Sequence, residues 1–463
     1  MRAFEGLRVL RGRDFRLLFM SQALAQIGSQ AVFVAMTLYI TKRTGSPTDL
    51  SIVLGAGMLP TVLLIAFGGV WADRLPRNLI VIGTDTTRMM LHAGLGVLIM
   101  AGAPPIWLIA VIEAFFSAAT AFFQPAFTGL IPQTVAEHEI PQAQALRGAL
   151  QNLAVVIGPI IATTLVLTIG AGPMFLIDSS GFLVSALLMT RVHPRERTSA
   201  SAGNGISVST ETGTSSSTSA TSERSQVMAG AHHLHGHADP VTVAETDHCR
   251  SRQQPAQSFT DELRAGLREV RSRGWVWGTI LAYSAVLLLA DVPWLALAPV
   301  ATRQLYGSLS YYGVLIVLYG VGAVLGSLLA TVWRPRYPIR LALMLGIAWA
   351  SLGLLLALAI PELWMDIASI VCGLAGALLG AWWETALAEH IPPEALSRVS
   401  AWDYMGSLAL MPLGYAIVGP LASVIGVRLL LGGGAVAGAV VAGLALLAPG
   451  AWTLTSKRPP KAR

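Results

Sequence analysis

The stretch Gly68–Asn78, GGVWADRLPRN, decides how this chain is read. An apolar run, Ile52 to Val70, leads into it, and another begins at Leu79 directly after it. Pro76 cannot donate to a helix ladder and forces a turn. Asp73, Arg74 and Arg77 put charge at that turn. Span, sharp charged turn, returning span: the pattern is that of a chain crossing a membrane twice.

Composition extends the reading to the whole chain. Of 463 residues, 54% are hydrophobic and only 12% charged, where a soluble protein carries about 25% charged residues. A net charge of +6 could point to nucleic acid, but the basic residues lie in turns between apolar spans, as the positive-inside rule requires. No nucleic-acid partner is expected; the lipid bilayer is. The two cysteines, Cys249 in a polar stretch and Cys372 in an apolar one, imply no disulfide framework. The basic N-terminal residues precede a span of bilayer length and carry no small-residue cleavage site, so the first span is read as retained.

On a ruler of about 20 apolar residues per crossing, twelve spans follow: 17–40, 50–72, 79–102, 105–128, 143–169, 173–192, 275–300, 310–333, 339–360, 363–388, 399–425 and 428–452. Arginines crowd one side of this topology, among them Arg8, Arg11, Arg74, Arg77, Arg336 and Arg340. The other side holds Lys42, Arg43, Arg303 and Arg428. That bias predicts both termini in the cytoplasm and a multi-pass protein of the plasma membrane. The expected divisions are an N-terminal six-helix bundle (1–194), a disordered Ser/Thr-rich cytoplasmic linker (195–258), an amphipathic helix plus a C-terminal six-helix bundle (259–453), and a basic tail (454–463). The linker's tract His232 to His237 is too weak a signal for a metal site, and no metal or other cofactor is expected. Beyond the linker, Phe259, Leu263, Leu267 and Val270 recur at helical spacing, with Glu262, Arg264, Arg268 and Arg271 between them: a helix for the membrane surface.

The halves repeat. Ile131-Pro132 closes span 4 and Gly158-Pro159 lies in span 5; Ile391-Pro392 and Gly419-Pro420 recur at offsets of 260 (391 − 131) and 261 (419 − 158). A parallel internal duplication around a linker is a transporter architecture. The fold class is therefore all-α and polytopic, with twelve transmembrane helices in two pseudo-symmetric six-helix bundles.

At these residues the sequence resembles the major facilitator superfamily. GGVWADRLPR is similar to that superfamily's motif G-x-x-x-D-R-x-G-R between helices 2 and 3: Gly69, Asp73, Arg74 and Arg77 match, and Pro76 stands where Gly is usual. The turn after span 8, GSLLATVWRPR, keeps Gly326, Arg334 and Arg336 without the acid. Within the superfamily the likeness is to the drug-efflux branch that includes macrolide and enterobactin exporters, through segments such as FFQPAFTGLIPQTV (122–135) and LIDSSGFLVSALLM (176–189). The resemblance implies alternating access and export of a small amphipathic molecule, with protons as the coupling ion and a monomeric protein. Where many relatives have an acid after the helix-1 glycine, this chain has Ser29 after Gly28.

In that architecture helices 1, 4, 7 and 10 line the cavity. Span 4 carries Glu113, Ser117, Thr120 and Gln124 on one face; span 1 carries Gln22, Gln26, Ser29 and Phe33, with Gln30 adjacent. Span 7 has Asp291 and span 10 has Glu384 behind Trp382 and Trp383. An acid within a span costs about 2.5–3.5 kcal/mol on insertion scales and is a functional candidate by default. Glu113, Asp291 and Glu384 are therefore the candidate proton or substrate groups, accompanied by Gln26, Gln30, Ser117, Gln124, Gln151 and Asn152. Trp294, Trp382, Trp383, Phe115 and Phe116 are candidates to wall an apolar pocket. Asp178 and Asp366, near the outer ends of their spans, are expected to be solvated by headgroup water. At the cytoplasmic side, Asp73 is expected to latch onto the N-terminus of helix 11, with Gly69, Arg74, Arg77 and Arg88 holding the turn. Asp85 and Arg88, three apart, are placed to neutralise each other, and Arg398 and Asp403 to do the same in the second half.

Other classes leave no mark. There is no H-E-x-x-H or G-x-S-x-G, so no enzyme is expected. With Lys only at 42, 457 and 461, a phosphate-binding loop of a primary pump is excluded. An uptake symporter and a non-transporting sensor remain as alternatives to export.

Overall fold

A computed structural model describes residues 7–136, 139–193, 259–333 and 335–447. The linker 195–258, with its His tract, and the basic tail 454–463 lie outside the described residues. Among those described there is no strand. The first half is built of α1 (Arg13–Thr44), α2 (Pro47–Arg74), α3 (Arg77–Ala101), α4 (Ile106–Thr134), α5 (Ile140–Thr168) and α6 (Ala171–Met189). A surface helix, Phe259–Ser272, precedes the second half. That half holds α7 (Gly274–Leu305), α8 (Ser310–Val332), α9 (Pro338–Ala357), α10 (Glu362–His390), α11 (Pro393–Leu408 continued by Met411–Ile425) and α12 (Val427–Ala445). All twelve expected spans are helices, and eleven are long and apolar enough to cross a membrane. The other, α3, is 25 residues long but carries Asp85, Arg88 and His92 along its length.

Local chemistry sets the turns. Gly45, at φ 62°, ends α1 in the left-handed conformation. Ser46 Oγ then accepts from Asp49 N at 3.2 Å, and Pro47 opens α2. At the quoted turn α2 stops at Arg74 and α3 begins at Arg77, with Pro76 as its cap. Two basic residues on the opposite side bond backbone carbonyls at or just beyond helix ends. Arg43 donates to the carbonyls of Ala103 and Pro104, and Arg428 Nε donates to Ala357 O at 2.5 Å.

The packing repeats with the sequence. In the first half α1 packs on α5, α2 on α4 and α3 on α6; in the second, α7 packs on α11, α8 on α10 and α9 on α12. Between the halves, α2 packs on the Met411–Ile425 part of α11, α5 on α8, and the Val292–Leu305 part of α7 on α1 and α2. One apolar core joins both halves at the end remote from His193 and Phe259, the described residues that flank the linker and mark the linker end, running from Ala31–Ile40 through Leu50 to Val292, Tyr312, Tyr415 and Val418. Arg303 Nη1 donates to Thr41 O across the same junction at 3.0 Å. Toward the linker end the cores are separate. One holds Phe15, Leu18, Phe127 and Ile131; the other holds Val276, Ile280, Leu387 and Val399. The halves are thus joined at one end and separately packed at the other.

The two repeated Gly-Pro pairs do different jobs. A Cβ on Gly158 would lie 2.6 Å from Gln30 Cβ, within the first half. One on Gly419 would lie 2.5 Å from Thr48 Cα, across the junction between halves. Each glycine permits a helix approach that a side chain would block.

Candidate functional site

The first half holds a chain of buried polar groups. Asp85, Arg88 and His92 fall on one face of α3, 0%, 4% and 1% exposed. Opposite them, α6 presents Asp178 and Ser185, both buried. Asp85 is ion-paired to Arg88 and accepts from Ser185 Oγ at 2.6 Å, so the expected neutralisation is formed. The Arg88 guanidinium lies 4.1 Å from the Phe123 ring centre and 4.6 Å from that of Phe182. Although grouped with the surface turn from the sequence, Arg88 lies eleven residues into the bundle, away from that turn.

Further along α3, His92 Nδ1 sits 2.5 Å from Asp178 Oδ2, and its Nε2 faces Glu113 Oε1 at 3.6 Å. The imidazole stacks on Phe116, centroids 3.9 Å apart and planes within 5°, with Phe175 and Phe182 against it edge-on. The expectation that headgroup water solvates Asp178 is overturned: it is 1% exposed and bonded to His92. Asp366 is half-buried and accepts from Tyr311 OH at 2.9 Å. His92 escaped the sequence reading, although its spacing from Asp85 and Arg88 puts all three on one helix face. Glu113 was singled out, but its partner lies on another helix.

Glu113 also faces a cavity. Ser29 and Phe33 of α1, Thr61 of α2, His92, Glu113, Ser117 and Thr120 line it, with Tyr415 of α11 at its edge. Ser117 Oγ lies 2.6 Å from Thr61 Oγ1, so that serine is committed to α2. Other candidates stand outside the lining: Gln26 takes a hydrogen bond from Gln22 at 3.1 Å, Gln30 packs by Gly158, and Gln124 and Gln151 are half-buried elsewhere. The side chain of Asn152 lies outside the described residues, as do those of Gly69, Asp73, Arg74 and Arg398. Arg77 is described, and donates to Gly129 O at 2.8 Å, tying the turn to α4.

The second half treats its acids differently. Asp291 ends a wide turn, Leu287–Asp291, inside α7. It lines a pocket with Trp294, Tyr319 and Trp349 and makes no hydrogen bond or ion pair among the described residues. A larger cavity opens nearer the linker end. Tyr283, Trp349, Trp383 and Tyr404 supply its aromatic walls, and Glu384 and Asp403 its charges. Asp403 accepts from Trp383 Nε1 at 2.9 Å. Of the candidate wall aromatics, Phe116, Trp294 and Trp383 face cavities. Trp382 instead packs against Trp333 with its N–H on the Trp333 carbonyl, and Phe115 is 62% exposed on the outside of the bundle.

Comparison with known proteins agrees with this architecture. The sequence profile described as Major Facilitator Superfamily matches residues 18–298. Macrolide efflux protein A of Streptococcus pyogenes is 26% identical over 178 residues, 38% of this chain and 44% of that protein. An uncharacterised MFS-type transporter of Bacillus subtilis, YfiS, is 25% identical over 37% of this chain and 40% of its own length. The match thus spans less than half the length of these relatives. Among solved structures, the nucleoside transporter NupG superposes with a TM-score of 0.63 at 13% identity, covering 94% of this chain and 98% of that one. A bacterial homologue of the iron transporter ferroportin, in its inward-facing state, gives 0.61 at 12% identity over 95% and 98%. At such identity the likeness is one of fold.

Proposed function

Because the chain belongs to the Major Facilitator Superfamily, a family of membrane transporters and not of enzymes, we propose that it exports small amphipathic molecules from the cell, driven by the proton gradient. Alternating access is the mechanism. The core that joins the halves closes one end of the protein, and the separately packed other end admits substrate. Taking the Arg-rich linker end as cytoplasmic, with both termini there and the plasma membrane as host, makes this the inward-facing state. In the opposite state the Asp73 turn engages helix 11 and closes that end. The working unit is the monomer.

The observation that carries this reading is the aromatic-walled cavity of the second half, with two acids in its lining. Its aromatic walls take an apolar body, and Glu384 and Asp403 favour a positively charged or hydrogen-bonding end. Macrolide efflux protein A, similar to part of this chain, supports the outward direction and a drug-like, macrolide or comparable secondary-metabolite cargo.

The test is transport by the purified protein in vesicles under an imposed pH gradient. Lumenal pH is followed as lipophilic cations, macrolides and siderophores are added in turn. Proton flux that depends on one compound, and weakens with Glu384→Gln, supports export by antiport. Compounds that cross without proton flux would sink the coupling.

A further inference from the structure

The most constrained titratable cluster in the described residues lies in the first half, away from the substrate cavity proposed above. We propose that His92, held between Asp178 and Glu113, is the group that carries the coupling proton. This rests on the reading of the protein as a proton-coupled transporter and assigns the proton a site of its own.

The geometry supplies each requirement. The imidazole is fixed on three sides by Phe116, Phe175 and Phe182, and its Nδ1 is committed to Asp178 Oδ2 at 2.5 Å. With Nδ1–H donating to that carboxylate, the ring's exchangeable position is Nε2. Among the described residues Nε2 has no hydrogen-bond partner, and neither has Glu113 Oε1, which faces it at 3.6 Å. That gap is beyond a hydrogen bond and short enough for a small shift to close. Both residues line the cavity, but the His92 side chain is 1% exposed and that of Glu113 16%. Glu113 is therefore the group that meets water, and His92 the one behind it.

The transfer balances simply. A hydronium ion in the cavity gives its proton to the Glu113 carboxylate and leaves as water; the carboxyl O–H bond then breaks as Nε2–H forms. Glu113 is left as carboxylate and His92 as imidazolium between two anions. The three groups pass from a net charge of −2 to −1, and the reverse transfer returns the proton to the cavity. Nearby, Arg88 is paired with Asp85 on the same helix. The helices packed against His92 contribute Glu113 from α4 and Asp178 from α6 as its charged neighbours. From α1 the cavity receives only uncharged groups, Ser29 among them. A change in the His92–Glu113 gap alters the attraction between the imidazolium and that carboxylate.

The full-length protein in vesicles, with ethidium as probe, tests this on two readouts: accumulation driven by a pH gradient, and downhill exchange. The expected result is that His92→Asn reduces the ratio of driven accumulation to exchange to the wild-type value without a gradient. A His92→Asn protein that accumulates ethidium as wild type does would overturn the assignment. Wild type that exchanges ethidium but ignores the gradient overturns it too, while transport itself stands. A wild type that moves no ethidium counts against the transport reading for that probe. The proton site is then decided separately by ¹⁵N-histidine NMR of wild type and Glu113→Gln. The expected result is an imidazole signal, missing in His92→Asn, that titrates and whose midpoint moves in Glu113→Gln. A His92 signal that neither titrates nor responds to Glu113→Gln refutes the proposal, whatever the probe does.

Discussion

The two halves share one pattern of helix pairs and handle charge in opposite ways. In the first, every acid on the α3–α6 face has a basic or hydroxyl partner: Asp85 with Arg88 and Ser185, Asp178 with His92. In the second, Asp291 stands without such a partner among the described residues, and Glu384 and Asp403 line an aromatic cavity. Paired charges in an apolar interior are costly to break, because removing one partner leaves an uncompensated buried ion. Acids at a cavity wall leave their charge available to a ligand. The same scaffold thus carries a rigid polar spine on one side and a receptive surface on the other.

The largest effect should come from cutting that spine. Arg88→Ala leaves Asp85 buried without its cation and is expected to cost about 3–5 kcal/mol, read as a lower thermal midpoint in detergent. Asp291→Asn, made for contrast in the second half, should shift stability by less than about 1 kcal/mol. Equal losses in both variants would break the comparison. Next is Phe116→Ala, which removes the ring stacked on His92 and should cost about 3 kcal/mol. Its neighbour Phe115→Ala, on the outer surface, should stay within about 0.5 kcal/mol in the same assay.

A smaller effect is expected in the aromatic cavity of the second half. Trp383→Phe keeps an aromatic wall but removes the N–H that Asp403 accepts, and should cost about 1.5–3 kcal/mol as the loss of a hydrogen bond to a charged group. The measurement is probe affinity together with thermal midpoint. A change in midpoint alone would mean the pair is structural and takes no part in holding a ligand. The smallest effect is Arg303→Ala, which removes one hydrogen bond across the closed end and should cost about 1 kcal/mol. It should appear as faster labelling of cysteines placed in the cavity from the side opposite the linker. Unchanged labelling would mean the apolar core alone keeps that end shut.

The legible and the illegible divide along physical lines. The Asp85–Arg88 pair could be read from the sequence because three residues make a helical turn, so both groups belong to one helix. Glu113, Asp291 and Glu384 were legible as costly acids in apolar spans. His92 was not, since a lone histidine in a span acquires meaning only from what faces it. Asp178, read as solvated from its distance to a helix end, is instead buried against His92, 86 residues earlier in the chain. The aromatics show the same division: Phe115 and Phe116 are adjacent in sequence, yet one faces outward and the other closes on the imidazole.

By itself the sequence determined twelve crossings, their turns and the duplicated halves. Each of these depends on local terms: apolar length, proline and glycine at turns, and charge at the ends. Only the tertiary structure decided that α3, α4 and α6 bring one imidazole between two carboxylates, and that the halves join at one end. Helical spacing specifies which residues share a face; the packing of whole helices specifies which faces meet.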